Sequence, residues 1–228
     1  MRSFLSIFIA CSFLIGCDNS TPPVTQSAAP VVKSSAVVED KQKDETAKIN
    51  EWFDAKFEEQ LAFSPIFQSV LGRKTAYGEI DDLSNEAIDK QLAWQRESVV
   101  EMKSKFDRAL LSSEAQTSYD IWEYQLKEAE AADVFRKNEY IFHQMHGSHA
   151  FLPQVLISFH PVDSLSDMEA YISRIRQSGR AIEQLIARSK ENAAHGVRPP
   201  HFAFGFVIDE ASNLISGVPF DDSGKDNS

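Results

Sequence analysis

Residues 166–195 read SDMEAYISRIRQSGRAIEQLIARSKENAAH, and this stretch decides the fold class. Ser166 followed by Glu169 matches a capping box and predicts where a helix begins. Gly196 predicts where that helix ends, while Gly179 weakens it locally. The apolar residues recur at three- and four-residue steps, the spacing of an amphipathic helix. They are Tyr171, Ile175, Ile182, Leu185 and Ile186.

The same spacing recurs along most of the chain after residue 45, and no alternating strand pattern interrupts it. Ser113 with Gln116 forms a second capping box, and Ser84 can cap another helix. The sequence therefore predicts a mainly α fold, with long amphipathic helices packed as a partial helical domain. Besides residues 166–195, the predicted helices are 45–64, 84–110, 113–135, 150–158 and 204–215.

The first residues have the pattern of a secretory signal. One arginine precedes FLSIFIACSFLI, residues 4–15, an apolar run that is too short to span a bilayer. Leu14-Ile15-Gly16-Cys17 then resembles the lipobox of bacterial lipoproteins, whose signal is cut before a cysteine that carries acyl chains such as palmitate. We expect residues 1–16 to be the signal peptide and Cys17 to bind the membrane through its lipid. An ordinary cleaved signal that contains Cys17 is the alternative.

Residues 17–45 combine the lipidated Cys17 with a stretch rich in Ser, Thr, Pro and Lys, which predicts a flexible linker. The helical domain is expected at 46–220, followed by a polar tail at 221–228. The signal places the protein in the cell envelope, lipid-anchored on the exported side of its membrane. Asp18 resembles a signal for retention in the inner membrane.

Composition excludes several classes of function. The formal net charge of −11 argues against nucleic-acid binding and against a polybasic membrane contact. Of the two cysteines, Cys11 lies in the signal and Cys17 is the lipid site. The mature domain therefore offers no disulfide, no thiol nucleophile and no cysteine metal ligand.

One cluster of histidines is a weak candidate for a metal site. His143, His146 and His149 are spaced by three residues, and histidine is the commonest metal ligand. However, no Asp or Glu is interleaved, and the segment does not match H-E-x-x-H. The alternative is a buried loop whose histidines hydrogen-bond to backbone, and the sequence assigns no catalytic residue. His160 and His195, each at a helix boundary, are expected to be structural.

Four further motifs carry a family resemblance. They are HQMHGSHAFLP at 143–153, FHPVD at 159–163, DMEAYI at 167–172 and GVRPP at 196–200. Together they resemble the bacterial DUF885 family, over roughly residues 49–220. The resemblance implies a helical protein that is often secreted or lipidated, with family members much longer than this chain.

The later half of that family resembles gluzincin metallopeptidases, which bind zinc through a helix with histidine and glutamate. No residue of this chain matches that helix, so no catalytic or metal position is carried over. Zinc and a peptide substrate are implied only for full-length members, and whether this chain is an enzyme stays open.

Two functions therefore compete. The first is a lipoprotein that carries the N-terminal portion of a zinc peptidase-like domain and is inactive alone. It predicts apolar helix faces left exposed. The second is a complete envelope lipoprotein that binds a partner without catalysis. A metal site at the histidine cluster is a third hypothesis.

Overall fold

A computed structural model describes residues 32–145, 147–218, 220–222 and 224. These residues form seven α-helices and two short 3₁₀ helices, and they contain no strand, which confirms the predicted mainly α fold. The α-helices are α1 (Val32–Leu61), α2 (Pro65–Val70), α3 (Asn85–Lys105), α4 (Ser113–Asp133), α5 (Ser148–Phe159), α6 (Leu165–Ala194) and α7 (His201–Asn213). The 3₁₀ helices are Arg108–Leu110 and Arg136–Asn138.

α1 begins earlier than the sequence pattern predicted. Residues 32–45 were expected to belong to a flexible linker, yet they are helical in the structure. This part of the sequence has few apolar residues at helical spacing, so apolar periodicity does not detect it. Lys48 lies 2.7 Å from Asp44, and Gln42 donates to the Leu111 carbonyl over 2.9 Å. Residues 1–31, including the predicted signal and the rest of the linker, lie outside the described residues.

Three serines cap the long helices, and one of them was predicted. The Ser84 hydroxyl accepts from the Ala87 amide that begins α3, as expected. The capping boxes at Ser113 and Ser166 are wrong, because Ser112 and Ser164 cap α4 and α6 instead. Both actual caps have extended backbone angles, the conformation that an N-cap residue needs, whereas Ser113 and Ser166 lie within their helices.

α6 buries only part of the apolar stripe that the sequence suggested, since Leu185 is buried and Ile182 is partly buried. Ile175 and Ile186, both in the predicted stripe, are exposed. The helix contacts its neighbours through a row at roughly seven-residue spacing, in which three of five members are polar. The buried residues of α6 are Asp167, Arg174, Ala181, Leu185 and Asn192.

Two hydrophobic clusters form the interior. The first joins α1, α3, α4 and the segment between α3 and α4, and Trp52 packs there edge-on against Phe106 and Trp122. The second joins α2, α5 and α6. The buried members are Ile49, Trp52, Met102, Phe106, Leu111, Ala115 and Tyr119 in the first cluster, and Ile66, Ile80, Leu152, Val155 and Ala181 in the second.

α7 is the least covered helix of the described chain. Only Ala203 is buried in it, while Phe202, Phe204, Phe206 and Ile208 are each about half exposed or more. No helix within the described residues combines the length and apolar composition that a membrane crossing requires.

Candidate functional site

The centre of the C-terminal half is a guanidinium group without solvent contact. Arg174 on α6 is 0 % exposed, although arginine is among the residues least often buried. Its Nε donates to the Glu79 carbonyl over 2.9 Å, and its Nη2 donates to the Ser69 hydroxyl over 2.8 Å. Nη2 also donates to the carbonyls of Pro65 and Ala76. Arg174 therefore fastens the segment that contains α2 and the following loop to α6.

The remaining partner of Arg174 is the imidazole of His160, at the C-terminal end of α5. Arg174 Nη1 lies 3.0 Å from His160 Nδ1. Because a guanidinium can only donate, Nδ1 must be the acceptor and the proton of a neutral imidazole must sit on Nε2. His160 Nε2 then donates to the Asp167 carbonyl, 3.1 Å away. Burial lowers the pKa of His160, which agrees with this neutral form.

Tyr77 and Lys74 cover the imidazole from the loop that follows α2. The Tyr77 ring stacks on His160 with 3.9 Å between the ring centroids, and its hydroxyl donates to the Pro161 carbonyl over 2.7 Å. Lys74 donates to the Asp167 carboxylate over 2.9 Å. The Lys74 ammonium lowers the pKa of Asp167 to about 2, with a further contribution from the Ser164 hydroxyl. We call Lys74, Tyr77, His160, Asp167 and Arg174 the arginine cluster.

Asp81 makes a second polar contact at the start of α2. Its carboxylate accepts from the Ser64 hydroxyl over 2.6 Å and from the Ile66 amide over 2.9 Å. Burial raises the pKa of Asp81, although both hydrogen bonds act in the opposite direction. Asp81 thus holds the N-terminal end of α2, while Arg174 holds the rest of the same segment.

The arginine cluster is arranged to fix the positions of helices rather than to catalyse a reaction. Arg174 and the two imidazole nitrogens of His160 are committed to partners inside the protein. A general base or nucleophile needs a free lone pair that faces a substrate. The cluster instead sets the relative placement of α2, α5 and α6, and it makes this placement depend on one titratable ring.

The structure describes two of the three predicted metal candidates. His143 accepts at Nδ1 from the Met145 amide over 3.3 Å, and His149 is buried with Nε2 2.6 Å from the Glu210 carboxylate. His146 lies outside the described residues, so the metal hypothesis for the three histidines stays a prediction. Within the described residues, no group of three or more His, Cys, Asp or Glu side chains is placed to hold a metal ion.

His149 joins α5 to α7 through its contact with Glu210. A Cβ atom at Gly147 would lie 2.6 Å from His149 Nδ1, closer than atoms tolerate, so glycine permits this packing. Nδ1 is buried there without a hydrogen-bond partner. The pair is one of few polar contacts that hold α7. Cys17, the predicted lipidation site, lies outside the described residues.

Sequence reasoning placed His160 in a structural role but missed Arg174, Lys74 and Tyr77. A signal for Arg174 did exist, because it follows Tyr171 by three residues and so lies on the same side of the helix as the apolar stripe. Lys74 and Tyr77 gave no such signal. They lie in a loop and reach their partners across more than 80 residues of sequence.

Apolar clefts flank α7 on the surface. One, of about 420 Å³, lies between α5, α6 and the residues after α7. Another, of about 400 Å³, lies between α7 and the end of α6. Most of their walls are apolar; the named side chains include Leu156, Ile175, Leu214 and Phe220 in the first cleft and Phe142, Val197, Phe204 and Ile208 in the second.

Comparison with known proteins gives one result. Residues 65–228, most of the chain, match a family model described as "Bacterial protein of unknown function (DUF885)". No curated protein and no solved structure matches the chain. The matched range contains all of the arginine cluster and both apolar clefts, and it begins at the proline whose carbonyl Arg174 contacts.

Proposed function

Because this chain belongs to the DUF885 family of bacterial proteins, we propose that it is a membrane-anchored lipoprotein. Its helices would form the N-terminal part of a DUF885-like domain that has no catalytic activity by itself. The observation that carries the proposal is the apolar surface of α5, α6 and α7, which the described residues leave uncovered.

α7 gives the strongest support for an incomplete domain. Phe202, Phe204, Phe206 and Ile208 are spaced by two residues, so they point to different sides of the helix and no single contact can cover them. Helices that are apolar all round are normally buried inside a larger protein. Monomers rarely expose apolar patches larger than about 300–600 Å². We propose that further helices of the same domain cover the apolar side chains of α7.

Sequence supports the anchor. Leu14-Ile15-Gly16-Cys17 follows an uncharged apolar run, and the next residues are polar. Two or more acyl chains on one residue give stable membrane binding, whereas a single chain gives only weak binding. The membrane is therefore the proposed partner of Cys17, and the cell envelope is the proposed location.

We propose the absence of activity because the longer family members resemble zinc metallopeptidases. Their zinc-binding helix has no counterpart in this chain, so zinc and a peptide substrate would belong to a longer form. Metal content of the purified protein tests the competing histidine hypothesis. One metal ion per chain that disappears in His143→Gln and His149→Gln would support a metal site and contradict this part of the proposal.

The anchor is tested by partitioning between detergent and aqueous phases after expression in a bacterium. We expect the wild-type protein in the detergent phase and Cys17→Ser in the aqueous phase or retained as uncut precursor. Cys11→Ser is the matched control, because Cys11 lies in the same apolar stretch and should leave partitioning unchanged. Wild-type behaviour of Cys17→Ser would refute lipidation at this residue.

Reading the gene beyond Ser228 tests the incomplete domain. A frame that continues into a helix with a histidine–glutamate zinc motif would support it. A stop codon shortly after Ser228 would favour the alternative, a complete non-catalytic envelope protein that binds its partner through the apolar clefts.

A further inference from the structure

The residues from Pro65 to Ile80 form one unit that depends on the arginine cluster. They comprise α2 and the loop after it, and we call them the α2 segment. Arg174 contacts the segment at Pro65, Ser69, Ala76 and Glu79. The segment in turn stacks Tyr77 on His160. Three further polar contacts join the segment to α6: Lys74 donates to the Asp167 carboxylate, Gln177 donates to the Gly78 carbonyl and Arg180 donates to the Ile80 carbonyl.

We propose that the hydrogen bond between Arg174 and His160 is an acid-sensitive latch, and that protonation of His160 releases the α2 segment from α5 and α6. In the closed state, the Nδ1 lone pair accepts from Arg174 and Nε2 donates to Asp167. A proton taken from solvent occupies that lone pair. The result is an N–H group facing another N–H group, with two positive charges about 3 Å apart.

The groups around His160 do not compensate this repulsion. Asp167 offers the ring its backbone carbonyl, while its carboxylate is bound to Lys74. The Tyr77 and Tyr171 rings contact the imidazole through its face and its edge. The charged and titratable groups that face His160 from every packed element are Lys74 and Tyr77 from the α2 segment, Asp163 from the loop before α6, and Asp167, Tyr171 and Arg174 from α6.

The direction of the pH effect follows from proton linkage. Burial lowers the pKa of His160 in the closed state, whereas a solvated histidine titrates near 6.5. The open state therefore binds more protons below about pH 6.5, and closure weakens as the pH falls from there through the lowered pKa. Asp167, with a pKa of about 2, stays charged throughout this range. One proton changes the closing equilibrium by at most about tenfold per pH unit.

Release of the α2 segment would change the shape of an apolar cleft that already opens to the surface. The cleft has a volume of about 550 Å³ and lies between α1, α2 and α5. Ile66 and Phe67 form its α2 wall, and Phe57, Phe151 and Phe159 line the opposite side. In a chain exported to an envelope that equilibrates with the surroundings, acid would thus move the α2 wall of this cleft.

Hydrogen exchange of the full chain at about pH 7 and about pH 5, corrected for intrinsic exchange, tests the latch. We expect amides of the α2 segment to lose protection by about tenfold or more at the lower pH, while α4 is unchanged. Equal protection of the segment at both pH values, or the same loss in α4, would overturn the proposal.

Three variants separate the latch from other titrations. His160→Gln keeps a donor and an acceptor but cannot titrate, so its α2 segment should exchange alike at both pH values. His195→Gln alters an exposed histidine at the C-terminal end of α6, and Asp81→Asn removes another titratable group that holds α2. Both variants should keep the acid response. A response that persists in His160→Gln would refute the latch. If that variant does not fold, the wild-type comparison of the α2 segment with α4 decides.

Discussion

The two halves of the described chain are held together in different ways. α1, α3 and α4 enclose an apolar core in which Ile49, Met102 and Leu111 have no exposed surface. α2, α5 and α6 instead meet around Arg174, a buried cation with several hydrogen-bond partners. Both halves also expose apolar side chains, such as Val100 and Ile121 in the first half and many on α5–α7 in the second.

This difference separates two physical roles. Apolar burial is non-directional and tolerates volume-conserving changes. A buried cation is costly to desolvate and is stable only while its hydrogen bonds are made, so it specifies one arrangement. Apolar packing accordingly contributes most to the stability of the first half. In the second half, the hydrogen bonds of Arg174 fix the relative positions of α2, α5 and α6, next to the exposed apolar surface of α5–α7.

Removal of the Arg174 guanidinium should give the largest effect. Arg174→Met leaves the Ser69 hydroxyl, three carbonyls and His160 Nδ1 without their donor. Each buried group left unpaired costs about 1–3 kcal/mol, so the five groups together should cost more than about 3 kcal/mol even though the buried cation is no longer desolvated. Urea denaturation should show a loss of about that size. The control Arg176→Met, two residues away and exposed, should change stability by less than about 0.5 kcal/mol.

A cavity in the first half should cost slightly less. Met102→Ala removes a fully buried side chain from the core of α1, α3 and α4, and such changes cost about 2–5 kcal/mol. Val100→Ala on the same helix truncates an exposed side chain and serves as the control. Similar denaturation midpoints for both variants would mean that this core is not packed as described.

Removal of the α6 N-cap should have an effect of intermediate size. It also tests whether Ser164, the cap in the structure, or Ser166, the cap predicted from the sequence, stabilises the helix. Ser164→Ala removes the hydroxyl that accepts from the Asp167 amide over 3.2 Å, which should cost about 1 kcal/mol. Ser166→Ala, at the position that the capping box favoured, should cost clearly less. Thermal denaturation of the two variants measures the difference in stability. A larger loss of stability in Ser166→Ala would show that Ser166, and not Ser164, caps α6.

The smallest effect is expected on the open surface. Phe206→Ser on α7 changes a half-exposed ring and should alter stability by less than about 1 kcal/mol while it reduces self-association. Phe106→Ser makes the same change in the buried core and should cost at least about 3 kcal/mol. Light scattering and denaturation together measure both. A large loss in Phe206→Ser would show that α7 is covered in the isolated chain.

Helix positions were predictable because apolar spacing and proline or glycine boundaries are local signals. The end of α1 at Leu61 and the cap at Ser84 follow from a few neighbouring residues. The early start of α1 was missed because residues 32–45 have few apolar residues at helical spacing. The arginine cluster was missed for another reason. Arg174 contacts residues about 100 positions away, and single-sequence periodicity carries no information about such partners.

α1 has a mechanical consequence. Its 30 residues span about 45 Å, and its first buried residue is Ile49. Between Val38 and Lys48 most side chains of α1 are exposed, and Gln42 joins this part to the domain through the Leu111 carbonyl. If Cys17 carries the lipid that we propose, α1 would lie between that residue and the core formed by Ile49 and Trp52. The length of this helix would then contribute to the span between membrane and core.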